Sequence, residues 1–507
     1  MTQTGLQGAV QDRLAAFQEA QIGRRIWEKD HTVWRPDPTE ISNRLGWLTE
    51  AADMRAHAGE LRAFAEECAG DGLTTAVLAG MGGSSLAPEV FRETFGVAPG
   101  ALDLIVMDTT NPDQILAVQE SLDLPKTLFV IASKSGKTTE TLSHLAYFWE
   151  QIPDGAHFVA VTDPGTSLGE TGRERGFRRV FEADPNLGGR YSALSHFGVV
   201  NAALVGVDLE GLLEGAVAMA SACGPTVPAE DNPGVALGAT MGEAALAGMD
   251  KLTLVLPPAI ASFGYWVEQL IAESTGKEGR GILPLEGEDL GPPAVYGDDR
   301  LFVVTGEAGD DIEAMAAAGH AIVRVPFDEP IGLGAEMFRW EFATAVTGAV
   351  LGIQPFDQPD VESAKVATRR ILASGEIPPL DPGQLDDLLA QAEPGNYLAI
   401  QAYVPRNAET MARLHAVRMR LRDRLRLATT VGFGPRFLHS TGQLHKGGPN
   451  TGLFVQVVEE PSHDVPIPGQ PYTFGHLLAA QAAGDLMALR DRGRRVVRVS
   501  FEQLEGA

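Results

Sequence analysis

Short apolar runs alternate with helical patterns along most of this chain, and that alternation limits the possible folds more than any other feature. In the first half, strand candidates are Thr75–Ala79, Leu102–Met107, Leu128–Ile131, His157–Val161 and Arg179–Phe181, with helical patterns between them. Strand followed by helix, repeated, argues for a parallel sheet covered by helices on both faces. A Pro- and Asp-containing stretch, Gly224–Gly234, reads as a linker, and beyond it the pattern begins again. Lys251–Leu256, Leu301–Thr305, Ala321–Val325, Tyr397–Ile400, Thr451–Gln456 and Val496–Val499 are the later strand candidates. The expected fold is α/β: two doubly wound, mainly parallel sheets flanked by helices. Residues 1–43 form an N-terminal helical segment, 44–222 a first domain, 223–234 a linker, and 235–507 a second domain with a C-terminal extension. Gly281–Asp299 and Glu459–Pro471 read as loops.

The length, 507 residues, allows large cores, and the net charge of −27 argues against nucleic acid or an anionic membrane as the main partner. Two cysteines, Cys68 and Cys223, exclude a disulfide framework or a Cys-rich metal site, and fit a reducing cytoplasm. No basic segment leads an apolar one at the amino terminus, and no apolar segment approaches bilayer length. Neither an export signal nor a membrane span is expected.

The apolar run Thr127–Ala132 empties into Ser133-Lys-Ser-Gly-Lys-Thr-Thr139, which opens a helical pattern from Glu140. Unpaired backbone N–H groups at a helix start, with the dipole's positive end and hydroxyl donors, make a cradle for phosphate. A nucleotide-binding P-loop fails on spacing, since Ile131 stands where that motif needs Gly. The surviving reading is a loop for a small phosphate monoester; its bland rival is an ordinary Ser/Thr-capped helix. A second anion site is offered by Gly80-Met-Gly-Gly-Ser-Ser-Leu86, including Gly83 and Ser84, although Gly-x-Gly-Gly by itself is more often a tight turn packing helix on strand. Both loops follow strands of one sheet and point to the edge where such sheets bind ligands.

Gly188-Gly-Arg-Tyr-Ser192 places Arg190 beside two flexible glycines, where it is either a solvated surface residue or a cation for phosphate or a developing oxyanion. In Tyr265–Lys277 a helical run ends near Gly276, putting Gln269 and Glu273 four residues apart on one face. A carboxylate in a partly dry cleft suits proton transfer between adjacent carbons, though helical Glu is commonly plain surface charge. Glu268 lies about 100° round that helix and is expected to face solvent or a structural partner. Pro355–Lys365 reads as a loop feeding a helix that presents Lys365. Leu438–Gly447 carries His439 and His445, whose offset makes a zinc site improbable.

Together these segments resemble the phosphoglucose isomerase family of tandem sugar isomerase domains. Gly80–Ser84, Ala132–Ser135 through Thr141, Gly188–Ser192, Glu273–Lys277 and Phe356–Pro359 occur in family order. The resemblance implies interconversion of glucose 6-phosphate and fructose 6-phosphate without metal or redox cofactor. A sugar-phosphate sensor and an isomerase preferring mannose 6-phosphate are the alternatives. It implies that Ser84, Ser133, Ser135 and Thr138 bind the sugar phosphate with Gly83 and Lys134 close by, and that Glu273 is the base. Gln269 would orient the sugar, Arg190 stabilise the enediolate, and Lys365 with a histidine assist ring opening. A homodimer is also implied, in which a histidine can enter from the neighbouring subunit.

The chain departs from the usual family order because no histidine lies between Glu273 and His320. His439 follows Lys365 instead, as in the isomerase half of transaldolase–phosphoglucose isomerase fusions, and is preferred over His445. Ser85, where many members have Asp, and Gly136-Lys137 are further departures. Transaldolase activity is not expected, since about 70 residues precede the first motif, against roughly 250 in a (β/α)8 barrel.

Overall fold

The computed structural model describes residues 4–307, 309–379 and 381–507. Among these residues the strands form three parallel sheets. The first contains β1 (Thr75–Ala79), β2 (Asp103–Met107), β3 (Thr127–Ala132), β4 (Phe158–Thr162) and β5 (Arg179–Glu182), in the order β2-β1-β3-β4-β5. The second contains β6 (Lys251–Val255), β7 (Leu283–Leu285), β8 (Arg300–Thr305) and β9 (Ala321–Val325), ordered β7-β6-β8-β9. The third contains β10 (Tyr397–Tyr403), β11 (Ala428–Phe433), β12 (Gly452–Val458) and β13 (Arg495–Val499), ordered β11-β10-β12-β13. Each sheet repeats one winding, with its first strand between its second and third. The winding therefore reverses beside that first strand, where an open α/β sheet forms its ligand crevice.

The expected α/β class with mainly parallel sheets flanked by helices holds, but the single sheet expected between residues 235 and 507 is two. The strands missing from the sequence reading are β7, inside the stretch read as a loop, and β11. Both are edge strands. β7 is three residues long with Pro284 at its centre, and Ala428-Thr-Thr-Val-Gly-Phe433 lacks a continuous apolar run. An edge strand has a partner on one side only and tolerates such residues. β3, by contrast, is buried at every position, as its unbroken apolar run requires.

The N-terminal residues form helices Thr4–Glu19, Ile22–Trp27 and Trp47–Gly70. The stretch read as a linker ends in a capped helix start: Asn232 Oδ1 accepts from Val235 N at 3.0 Å, and Pro233 occupies the first turn of helix Pro233–Leu246. That helix lies almost against helix Leu333–Leu351. A Cβ at Gly238 would come within 2.4 Å of the Ala343 carbonyl, and one at Gly242 within 2.5 Å of Val350 Cβ. Gly238→Val is therefore expected to destabilise the fold by about 1–3 kcal/mol, read as a lower urea midpoint at unchanged slope.

Candidate active site

The loops after β1 and β3 leave neighbouring strands, so both open at the winding reversal of the first sheet. In the β3 loop, Gly136 turns with φ +64°, a left-handed conformation that glycine adopts without strain. The turn folds the loop back so that Ser133 and Thr138 hydroxyls meet at 2.8 Å. Thr138 is the residue before helix Thr139–Gln151, whose first N–H groups and dipole face the same place. Ser135 is exposed at the rim, with its hydroxyl accepting from Lys137 N at 3.3 Å. Lys134 is engaged elsewhere: its ammonium pairs with Asp163 and donates to the Pro185 carbonyl at 3.2 Å. Ser84 is buried, and Gly83 abuts the Arg190 loop so closely that a Cβ would fall 1.8 Å from the Gly189 carbonyl. Ser85, the departure from the family pattern, donates to Asp108 at 3.2 Å.

Arg190 is 2 % exposed and has every arm of its guanidinium occupied. Nε donates to Ser274 Oγ at 2.7 Å, and Nη2 to the carbonyls of Pro355 at 2.6 Å and Asp357 at 2.9 Å. Nη1 donates to Gln358 Oε1 at 3.0 Å and stands 3.5 Å from Glu273 Oε2. The loop Pro355–Gln358 is thus a clamp. Lys277 closes its other side, donating to Asp357 Oδ1 at 2.6 Å and to its carbonyl at 2.7 Å. Burial above all, with Arg190 beside it, lowers the Lys277 ammonium to about 8 despite its partner Asp357. Gln358 and Lys277 carry no functional signal of their own in the sequence. Both lie in quoted motifs, but their roles depend on contacts between distant segments.

Glu273 and Gln269 share a face of helix Phe263–Thr275 as expected: Gln269 Nε2 donates to Glu273 Oε2 at 3.1 Å. The same amide nitrogen donates to the His439 carbonyl at 2.8 Å, while Gln269 Oε1 is buried without a partner among the described residues. The His439 ring meets Glu140 at 3.0 Å between Nε2 and Oε1. Burial would raise Glu140, but the charge and hydrogen bond of His439, with the helix N–H and Lys365, hold it down at about 2. Gln481 also donates to Glu140, at 2.7 Å, and accepts from Thr110 at 2.7 Å. Lys365 is exposed on helix Glu362–Ser374, near enough for Glu140 to feel its charge.

His445 is packed among Tyr397, Phe437 and Phe454, with Nδ1 at 3.2 Å from the Gln401 amide; burial holds the ring neutral. That environment is a structural one. Glu268 has the structural partner expected of it, accepting from Ser440 Oγ at 3.2 Å. Burial, then the charge of Glu286, raises its carboxyl to about 8. The unfolded chain therefore releases this proton well before the folded one as pH rises, so Glu268 withdraws stability between about 4.5 and 8. Glu268→Gln is expected to raise the melting temperature at pH 8 and leave it unchanged at pH 4, by calorimetry at both values.

The arrangement offers an anion cradle, a buried carboxylate oriented by an amide and a guanidinium, and an imidazole paired with a second carboxylate. Residues 46–281 match the family model "Phosphoglucose isomerase". A probable glucose-6-phosphate isomerase of Haloarcula marismortui is 28 % identical over 347 residues, covering 58 % of this chain and 77 % of that protein. A glucose-6-phosphate isomerase of Synechococcus sp. strain JA-3-3Ab is 35 % identical over 240 residues, 45 % of this chain and 44 % of its own length. Among solved structures, a hypothetical protein of Thermus thermophilus superposes with TM-score 0.63 at 25 % identity, covering 73 % of this chain and 99 % of that one. The third sheet lies outside the residues matched by the family model. Over residues 46–281 the chain is similar to the phosphoglucose isomerase family, and it is an isomerase.

Proposed function

We propose that this isomerase interconverts glucose 6-phosphate and fructose 6-phosphate through a cis-enediol, as part of glycolysis and gluconeogenesis in the cytoplasm. The observation that carries the reading is the buried carboxylate Glu273, held by Gln269 and backed by Arg190, in contact with a segment bearing a paired histidine. The names of the relatives support the substrate.

The sugar phosphate binds where Ser84, Ser133, Ser135 and Thr138 supply hydroxyls and the helix start supplies N–H groups. Fixing the phosphate holds C1 and C2 against Glu273 rather than leaving that encounter to chance. His439 donates to the ring oxygen as the cyclic sugar opens, and Glu140 orients its ring. Lys365 assists from the rim. Glu273 then removes the C2 proton of the aldose and returns it at C1. The C1–C2 oxygens gain negative charge, and Arg190, unable to swing away, meets it without reorganising. The unpartnered Gln269 Oε1 accepts a sugar hydroxyl, which would satisfy a buried acceptor.

Supplying fructose 6-phosphate and resolving the aldose products by NMR tests the substrate assignment. Glucose 6-phosphate is the expected main product. Mannose 6-phosphate as the main product would reassign the C2 stereochemistry, and binding without turnover would remove the reaction.

A further inference from the structure

The resemblance to the family allows a histidine delivered by a neighbouring subunit, but here the histidine comes from the chain's own third sheet. His439 follows β11 and reaches Glu140 of the first sheet unit at 3.0 Å, while its carbonyl accepts from Gln269 at 2.8 Å. Gly82 leaves no room at that contact: a Cβ there would lie 2.8 Å from the His439 carbonyl. The long helix of the same third unit, Phe474–Asp491, brings Gln481 to Glu140 as well.

The docking surface behind these contacts has the character of an interior. Val465, Ile467, Phe474 and Leu477 belong to one apolar cluster with Val77, Phe129, Ile131 and Phe148 of the first sheet unit. Phe474 also stacks on His144, centroids 5.7 Å apart and planes 19° from parallel. Beside the site, Arg436 pairs with Glu89 and, at 2.6 Å, with Asp108, and Arg406 pairs with Glu89 at 2.7 Å. Glu89 is 1 % and Asp108 5 % exposed, so removing these arginines would strand buried carboxylates. Arg436 stands three residues from His439, and its anchoring fixes where the histidine sits.

Resting on the isomerase reading above, we infer that one chain holds the complete site. The third sheet unit supplies in cis the ring-opening histidine and, through Gln481, the support of its carboxylate partner. A homodimer can form but contributes no residue to the reaction, and activity belongs to the single chain.

Two differently tagged chains, one Glu273→Gln and the other His439→Asn, are co-expressed, and doubly tagged and singly tagged material is assayed beside wild type. The expected result is that mixed assemblies are no more active than either variant alone; absence of mixed assemblies, with a wild-type rate per chain unchanged on dilution, has the same meaning. A histidine acting across subunits would leave one intact site in each mixed dimer and restore about half the wild-type rate, overturning the inference. Wild type inactive on fructose 6-phosphate would remove the isomerase reading instead. Hydrogen exchange over residues 436–445 then decides the assembly without catalysis: protection unchanged on dilution supports docking in cis, and protection lost on dilution overturns it.

Discussion

Glu273→Gln is expected to lower kcat by at least about 10³-fold, with the affinity for a non-reacting sugar phosphate changed little. Gln has nearly the shape of Glu, so the hydrogen bond with Gln269 and the packing of a largely buried helix survive. What is lost is the proposed base. The proposed phosphate cradle of Ser84, Ser133, Ser135 and Thr138 makes no bond to Glu273, so binding of the phosphate end should stay intact. A loss confined to kcat separates a base from a residue that merely binds substrate. Near-normal turnover would remove Glu273 from the mechanism.

Arg190→Ala should be the next most damaging change, in two measurable ways. Its guanidinium joins Ser274, the Pro355–Gln358 loop and Glu273, so removal leaves two carbonyls without their donor and a buried carboxylate without its cation. Breaking such a buried network costs about 3–5 kcal/mol of stability, seen as a lower denaturant midpoint. Catalysis should fall by about 10²–10³-fold in kcat/KM, the usual consequence of deleting one fixed donor to developing negative charge. Arg190→Lys keeps the charge but replaces the planar fork by a point donor, so it should restore some stability and little rate. A lysine variant as active as wild type would mean that charge alone suffices and the clamp has no catalytic part.

The legible parts of this molecule are those written locally. The first strand of the first sheet, Thr75–Ala79, is legible to the residue, because a buried parallel strand needs an unbroken apolar run and little else produces one. Gln269 with Glu273, and the Ser133–Thr138 loop, are legible for the same reason, since helix periodicity and a helix start are short-range patterns. His439 is reachable only through a family resemblance, and its alternative His445 is separated from it by the aromatic packing that surrounds it. Glu140 does not show itself as the histidine's partner, because the two are 299 residues apart in sequence. The donation from Gln481 spans 341 residues. The third sheet escapes for a related reason: β11 at its edge lacks the apolar signature of a central strand, leaving too few candidates to suggest a separate sheet.

A proton shuttled between C1 and C2 by one carboxylate leaves an isotopic trace in the product. Fructose 6-phosphate is incubated with the purified protein in deuterated water, and the glucose 6-phosphate formed is analysed by NMR. A carboxylate base exchanges part of its captured proton with solvent, so deuterium at C2 is predicted, with any unlabelled fraction reporting direct return. Glucose 6-phosphate still free of deuterium at C2 after many reversible turnovers would indicate hydrogen moved as hydride, and would contradict the enediol and the role given to Glu273.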